Sequence, residues 1–244
     1  MWNTILNEAY LNVSHVESLT RCYQEKGLVL LDVLFQESVL DYITCEYRRL
    51  FDRRKRVDFY SDKDESRRRL ETINSRVILE ESMGLWFLYG NRQLHNLIEQ
   101  IVGAQIHDEL DYQWCVFNVH REKGCEHGWH VDMGAYVLNL VLEENLSHEQ
   151  AGGSFDVVPD WLALCQDYPG LCRQALYRLA KEEGMVHHIY LRRGQAVLMR
   201  ANQILHRVSA MPHKHSRRVA CLISWDNKTR EAEDEGPASR ALYM

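Results

Sequence analysis

The stretch His130-Val131-Asp132, followed by Ala135-Tyr136-Val137-Leu138-Asn139-Leu140-Val141-Leu142, decides how this sequence is expected to fold. Its second part is rich in β-forming residues and predicts a strand. Residues two apart in a strand point to the same face, so His130 and Asp132 can place an imidazole and a carboxylate side by side. His206 lies in a later strand-like segment and would add a second imidazole. Two histidines and one carboxylate suit Fe(II) and leave coordination positions open for a co-substrate and dioxygen.

The sequence around these ligands predicts a mainly β core with flanking helices. Strand-like runs, separated by turns, occupy 114–120, 135–142, 152–159, 191–199 and 217–225. In the first run, Asn118 and His120 share a face, so both are candidates to line one cavity. Arg217 follows His206 by eleven residues, a spacing that favours it over Arg218 as the anchor for a co-substrate carboxylate. Neighbours in a strand face opposite sides, so Arg218 is the alternative.

The order of these features resembles the Fe(II)/2-oxoglutarate-dependent oxygenases. Their core is a double-stranded β-helix, also called a jelly roll or cupin-like fold, with His-x-Asp, a Gly-Gly strand, a Gly-led strand, a distal His and then an Arg. The resemblance covers roughly residues 110–227. It implies that His130, Asp132 and His206 bind Fe(II) and that Arg217 or Arg218, with Asn118, binds 2-oxoglutarate. It also implies that dioxygen oxidises a substrate while 2-oxoglutarate is decarboxylated to succinate.

A narrower resemblance is to enzymes that act on free amino acids, the carrier-independent lysine halogenases and their hydroxylase relatives. It rests on the spacing His127-x-x-His130-x-Asp132 and on the early Arg67-Arg68-Arg69. In that family the His three positions before the first ligand and an N-terminal Arg hold the amino acid's carboxylate. The resemblance thus implies substrate-binding roles for His127 and for one of the three arginines, of which Arg69 is our choice. His120 is a further candidate for contact with the substrate.

The identity of two residues shapes the expected reaction. Halogenases of this superfamily have Gly or Ala instead of the ligand carboxylate, which opens a site for chloride. Asp132 fills that position, so hydroxylation, desaturation or ring closure is expected. Met133 follows it, where lysine-specific relatives have an acid, so a small polar amino acid or natural-product intermediate is the expected substrate.

Two other functions remain open from the residues alone. The same three ligands could hold zinc in a hydrolase, although the helical His-Glu-x-x-His signature of many such enzymes is absent. An oxygenase could also act on a protein or a nucleic acid. A net charge of −6 argues against a large nucleic-acid footprint. The basic clusters 53–56 and 67–69 are interleaved with acids, so we expect both on a solvated helix face or loop.

Composition and patterning favour a single oxygenase domain over residues 1–244. Residues 1–105 are predicted to be mainly helical and to buttress the core. The jelly roll is expected at 110–227 with a helical insert at 159–188, which is either a lid or a surface excursion. Residues 228–244 form a polar tail, and the oligomeric state stays open.

Cysteine usage and the N-terminus predict a cytoplasmic protein. Seven cysteines without regular spacing do not suggest a disulfide framework and fit a reducing compartment. The sequence shows neither a signal peptide nor an apolar run long enough to span a membrane.

Overall fold

The computed structural model describes residues 4–108, 113–146, 152–227 and 241–242. Its dominant feature is one curled antiparallel sheet of twelve strands. The strands are β1 (Leu28–Leu31), β2 (Lys55–Ser61), β3 (Ser66–Ile73), β4 (His107–Asp108), β5 (Cys115–His120), β6 (Glu126–His130), β7 (Tyr136–Glu144), β8 (Phe155–Val158), β9 (His187–Ile189), β10 (Ala196–Met199), β11 (Leu205–Val208) and β12 (Arg218–Asp226). Their order is β1-β10-β7-β12-β5-β3-β6-β11-β8-β9, with β2 on β3 and β4 on β12.

Helices from the N-terminal part cover one face of this sheet. These helices are α1 (Val13–Lys26), α2 (Glu37–Arg49), α3 (Ser75–Glu81), α4 (Met83–Tyr89) and α5 (Arg92–Val102). Two further helices, α6 (Trp161–Asp167) and α7 (Arg173–Glu182), lie between β8 and β9. Alternate side chains of the sheet, Leu138 and Leu140 on β7 and Cys221 and Ile223 on β12, join α2 in the main hydrophobic core. The residues between them therefore point to the other face, into the curl of the sheet.

The N-terminal region contains the predicted helices and also three strands that the sequence analysis did not predict. The expectation of a solvated helix face or loop fits Arg53 and Arg54, which lie at the end of a short 3-10 helix and in the loop after it. It is wrong for the other basic residues, because Lys55 and Arg56 begin β2 and residues 67–69 lie within β3. Within β3, Ser66, Arg68 and Leu70 are buried. The strand was hidden because three of its four inward positions, including Thr72, are polar, which obscures the usual alternation of apolar and polar residues.

The insert between β8 and β9 consists of α6 and α7 and packs beside the ligand strands. Its apolar side chains form a separate hydrophobic cluster with Trp129, Val131 and Leu205, which flank His130 and His206 in sequence. The rings of Trp129 and Tyr177 lie 4.8 Å apart. The insert thus supports the outer side of the two strands that carry the histidines.

Two further sequence-based expectations concern the membrane and the tail. Among the described residues, no helix combines the length and apolarity that crossing a bilayer would require. The predicted polar tail at 228–244 lies outside the described residues except for 241–242. Leu242 packs against Val57, Leu70 and Val116.

A β-bulge in β6 sets the direction of the site histidines. His206 pairs with His130, but Val208 pairs with His127, so three steps along β6 oppose two steps along β11. The extra residue lets His127 and His130 both face the cavity, which a regular strand would not allow. Gly128 lies within this bulge, and a Cβ placed there would be 2.6 Å from the backbone oxygen of Arg67.

We predict that Gly128→Ala destabilises the protein by about 1–3 kcal/mol, because the added methyl group forces the backbones of β3 and β6 apart. Gly170→Ala is the matched control, since nothing lies within 4 Å of the corresponding Cβ position. Chemical denaturation of both variants and of the unmodified protein measures the difference. Equal stability of the two variants would show that the close approach at Gly128 does not constrain the strands.

Candidate metal and co-substrate site

His130, Asp132 and His206 come together at one end of the β6–β11 pair. Their potential ligand atoms all lie within 4.8 Å of one another. Both imidazole Nε2 atoms are 3.4 Å from the carboxylate of Asp132, one from each oxygen. His130 and His206 are buried, whereas 20% of the Asp132 side chain is exposed. The three groups therefore form an accessible cluster of two nitrogens and a carboxylate.

Backbone carbonyls fix the tautomer of each histidine. The Nδ1–H of His130 donates to the carbonyl oxygen of Gly128 at 2.7 Å, and that of His206 donates to Ile204 at 3.0 Å. A carbonyl can only accept, so the proton of each neutral ring lies on Nδ1. The Nε2 lone pairs then face Asp132, and hydrogen bonds of this kind orient histidine ligands in metal sites.

The pKa values of His130 and Asp132 favour the forms of these two groups that bind a metal. Burial, with His206 and Arg68 nearby, lowers the pKa of His130 to about 4. Burial alone would raise the pKa of Asp132, but the imidazoles of His206 and His130 outweigh it and hold that pKa well below its ordinary value. Neutral imidazoles and an ionised carboxylate are the metal-binding forms.

A small cavity of about 10 Å³ lies beside this cluster and is lined by His130 and His206. Asn118 and His120 on β5 line it, as predicted from their shared face, together with Asn139 on β7 and Arg218 on β12. Register explains the grouping, because Arg218 lies opposite His120 and Ala220 lies opposite Asn118. Asn139 was missed by the sequence analysis, although a lone polar residue in the apolar run 135–142 was an available signal.

The preference for Arg217 over Arg218 is not supported by the geometry. Arg217 points away from the cavity, forms an ion pair with Glu143 at 2.6 Å and is 42% exposed. Arg218 is 3% exposed and donates to Asn139 Oδ1 at 3.3 Å. Burial lowers the pKa of Arg218 to about 10, which leaves it charged at neutral pH. Within the described residues it has no carboxylate partner, so the cavity holds an uncompensated cation suited to a carboxylate ligand.

His120 adds hydrogen-bonding capacity beside Arg218. It is fully buried, and neither of its ring nitrogens has a partner among the described residues. Burial and the charge of Arg218 lower its pKa to about 3. A neutral ring offers one donor and one acceptor, and buried polar atoms without partners commonly mark the position of a ligand or water.

His127 and Arg68 form a second polar group on the same inner face. The rings of His127 and His130 stack at 4.1 Å, and His127 Nε2 has no partner in the part of the chain that the structure describes. Arg68 pairs with His127 across β3 and β6 and is 1% exposed. Arg69, our choice from the sequence, is directed to Asp58 on the other face. Arg68, and not Arg69, is thus the arginine that lies beside His127.

A family model described as "Halogenase D" matches residues 11–240 of this chain. No curated protein matches the chain in sequence. The family match thus spans nearly the whole of the sequence, including every residue of the site described above.

Several solved structures are similar to this chain in fold. SnoK, a non-haem α-ketoglutarate-dependent carbocyclase from nogalamycin biosynthesis, has a TM-score of 0.65 at 15% identity, over 98% of this chain and 94% of that one. A 2OG-Fe(II) oxygenase family oxidoreductase from Burkholderia pseudomallei has 0.62 at 15% identity, over 89% and 93%. EctD from S. alaskensis, with 2-oxoglutarate and 5-hydroxyectoine, has 0.60 at 16% identity, over 94% and 81%. These matches confirm the predicted jelly-roll fold.

We predict that His120→Asn reduces the loss of stability at acid pH. Burial and Arg218 lower the pKa of His120 to about 3 in the folded protein, whereas its ordinary pKa of 6.5 applies to the unfolded chain. Unfolding therefore takes up a proton between these values, and stability falls as pH falls. The asparagine variant should lose about 1.4 kcal/mol less for each pH unit below 6.5. Urea unfolding of the metal-free protein at several pH values measures the slope, with exposed His215→Asn as the control. Identical slopes for all three proteins would contradict the prediction.

Proposed function

Because the chain belongs to the Halogenase D family and has the fold of the Fe(II)/2-oxoglutarate-dependent oxygenases, we propose that it hydroxylates a small polar molecule such as a free amino acid. The predicted superfamily, enzyme class and cofactors agree with this family and fold. His130, Asp132 and His206 are the proposed Fe(II) ligands. Arg218, His120 and Asn118 are the proposed contacts of 2-oxoglutarate.

One observation carries the proposal, namely that His130, His206 and the buried Arg218 line one cavity, with Asp132 beside the two histidines. Among the described residues, Arg218 has no carboxylate partner. The cluster fits Fe(II), and the guanidinium fits the distal carboxylate of 2-oxoglutarate. Bound Fe(II) would supply the activation of dioxygen, with 2-oxoglutarate losing CO₂ to give succinate as the substrate gains a hydroxyl group. The chain itself holds the reactants, fixes the imidazole tautomers and limits the access of water.

Hydroxylation is favoured over halogenation, despite the name of the family, because of Asp132. Its carboxylate lies 3.4 Å from both histidine Nε2 atoms and fills the position that halogenases of this superfamily leave open. A chloride ion would compete there with an ionised carboxylate. The zinc alternative is disfavoured, because hydrolysis at such a centre has no need for the buried Arg218, which has no carboxylate partner in the described part of the chain.

The group of His127 and Arg68 supports a substrate with a carboxylate. Arg68 is a buried cation that pairs with Asp64 at 2.8 Å, and His127 Nε2 has no partner among the described residues. Burial, followed by the charges of His130 and Arg68, lowers the pKa of His127 well below its ordinary value, so the ring is neutral. A neutral imidazole and a guanidinium together fit one carboxylate, as in a free amino acid.

The first experiment is anaerobic addition of Fe(II) and 2-oxoglutarate, followed by visible absorption. We expect the weak metal-to-ligand charge-transfer band of the chelated co-substrate in the wild type. His206→Ala should lose the band because it removes one of three ligands, and exposed His187→Ala should retain it. No band in well-metallated wild-type protein would overturn the proposal and favour a zinc hydrolase.

The same preparation then tests the substrate and the reaction. Each standard protein amino acid is added in air, and succinate release and product mass are measured with and without chloride. We expect one or more amino acids to stimulate succinate release and to gain one oxygen atom, with no chlorinated product. A chlorinated product would overturn the argument from Asp132. A band without stimulation by any amino acid would leave the oxygenase site in place and reject this substrate class.

We predict that Arg218→Met weakens 2-oxoglutarate binding and that Arg217→Met does not. Loss of a charge-assisted contact costs about 1.5–3 kcal/mol, which corresponds to roughly 10- to 150-fold in dissociation constant. Titration of the charge-transfer band with 2-oxoglutarate measures both variants. The opposite pattern, in which Arg217→Met is the weaker binder, would restore the spacing-based assignment.

A further inference from the structure

The insert is attached to the turn between β2 and β3 by two polar contacts at the start of α7. Arg173 Nη1 lies 3.0 Å from Asp64 Oδ1. The backbone N–H of Gln174 donates to Glu65 Oε2 at 3.2 Å. Glu65 adopts a φ of 51°, an uncommon conformation for a residue other than glycine, which brings both acidic side chains to the same helix end. The turn and the helix are thus held together at one specific place.

Asp64 also binds Arg68, the buried arginine beside His127. Arg68 Nη2 lies 2.8 Å from Asp64 Oδ2, and the hydroxyl of Ser61 donates to the same oxygen at 2.9 Å. The side chains of Asp64 and Arg68 are 8% and 1% exposed. One buried carboxylate therefore joins a guanidinium from the insert to a guanidinium of the site.

The contacts continue from Arg68 to the strand that carries the first metal-ligand candidate. Arg68 Nη1 donates to Ser66 Oγ at 2.6 Å, and Ser66 Oγ donates to the carbonyl oxygen of Trp129 at 2.7 Å. Trp129 precedes His130, and its ring contacts Tyr177 of α7. Hydrogen bonds and ring packing thus connect α7 with β6 by two separate routes.

We propose that Asp64 is a positioning residue, which orients Arg68 toward the substrate's carboxylate and links that orientation to the docking of α7 through Arg173. The proposal rests on the proposed function, in which Arg68 and His127 bind this carboxylate. Asp64 itself touches no reactant. Its contribution is to hold Arg68 in one rotamer and to keep the insert in place while the substrate is bound.

Substitutions that change the local charge distinguish a positioning role from a purely electrostatic one, because the two roles predict different effects on substrate binding. Arg68, Asp64 and Arg173 together carry two positive charges and one negative charge, while Glu65 is directed to the helix backbone. Arg173→Met lowers the sum by one, and Asp64→Asn raises it by one. A purely electrostatic role therefore predicts weaker substrate binding in the first variant and tighter binding in the second. A positioning role predicts weaker binding in both.

The test uses the full-length enzyme with Fe(II), 2-oxoglutarate and whichever standard amino acid most stimulates succinate release in the screen described above. We expect KM for that amino acid to rise about 5- to 30-fold in both Asp64→Asn and Arg173→Met. The dissociation constant of 2-oxoglutarate, measured anaerobically from the charge-transfer band, should stay unchanged. Arg173→Lys should restore KM, because Arg173 reaches Asp64 through a single nitrogen. Arg178→Met, an exposed change on the same helix, is the control.

Hydrogen exchange gives a readout that does not depend on turnover. In the wild type, the amino acid should slow exchange of the α7 amides, and in Arg173→Met it should not. An unchanged KM in Arg173→Met, or a lowered KM in Asp64→Asn, would overturn the proposal. Equal weakening of amino acid and 2-oxoglutarate binding would also overturn it, since that indicates general damage. If Asp64→Asn does not fold, the Arg173 variants decide.

Failure of the proposed function is recognised separately. If the wild type gives no charge-transfer band, the cofactor assignment fails. If the band forms and no amino acid stimulates turnover, the substrate class is wrong, and the role of Asp64 falls with it. If both wild-type results are positive, the variants test Asp64 alone.

Discussion

His130 and His206 face each other across β6 and β11, and the bulge beside them controls which side chains enter the cavity. Without the extra residue in β6, His127 and His130 would point to opposite faces of the sheet. Gly128 permits this bulge, because β3 passes too close for a side chain, and its carbonyl also orients the His130 ring. One local irregularity of the backbone thus places the proposed metal ligand and the proposed substrate contact on the same side.

The ligand triad and the strand core could be predicted because they depend on local spacing and on β-forming residues. The choices between neighbouring arginines could not. β12 is apolar at both odd and even positions, Val219-Ala220-Cys221-Leu222-Ile223, because helices cover one face and the curled sheet encloses the other. Its sequence therefore has no alternation of polar and apolar residues that would show which of Arg217 and Arg218 points into the cavity. The sequence of β3 likewise does not show which of Arg68 and Arg69 points inward, because polar residues occupy inward positions of that strand.

Buried charge gives the cavity its chemical character. Arg218 and Arg68 are almost completely buried, and His120, His127 and His130 remain neutral because burial and neighbouring cations lower their pKa values. Neutral histidines beside buried guanidiniums make the interior favourable for anions and unfavourable for further protons. Asp64 already compensates the charge of Arg68, whereas Arg218 has no carboxylate partner among the described residues. A carboxylate ligand at Arg218 would therefore stabilise the protein.

The name of the family suggests halogenation, whereas Asp132 favours hydroxylation. A family match over residues 11–240 reflects the whole fold, most of which consists of packing residues, whereas the choice between a hydroxyl group and a halogen depends on one coordination position. The carboxylate at this position is ionised, partly exposed and placed between two imidazoles. It therefore fills the space that a halide would occupy and already supplies a negative charge there. The reaction is therefore better inferred from this side chain than from the name of the family, and the same reasoning explains why the substrate must be sought in the residues around Arg68.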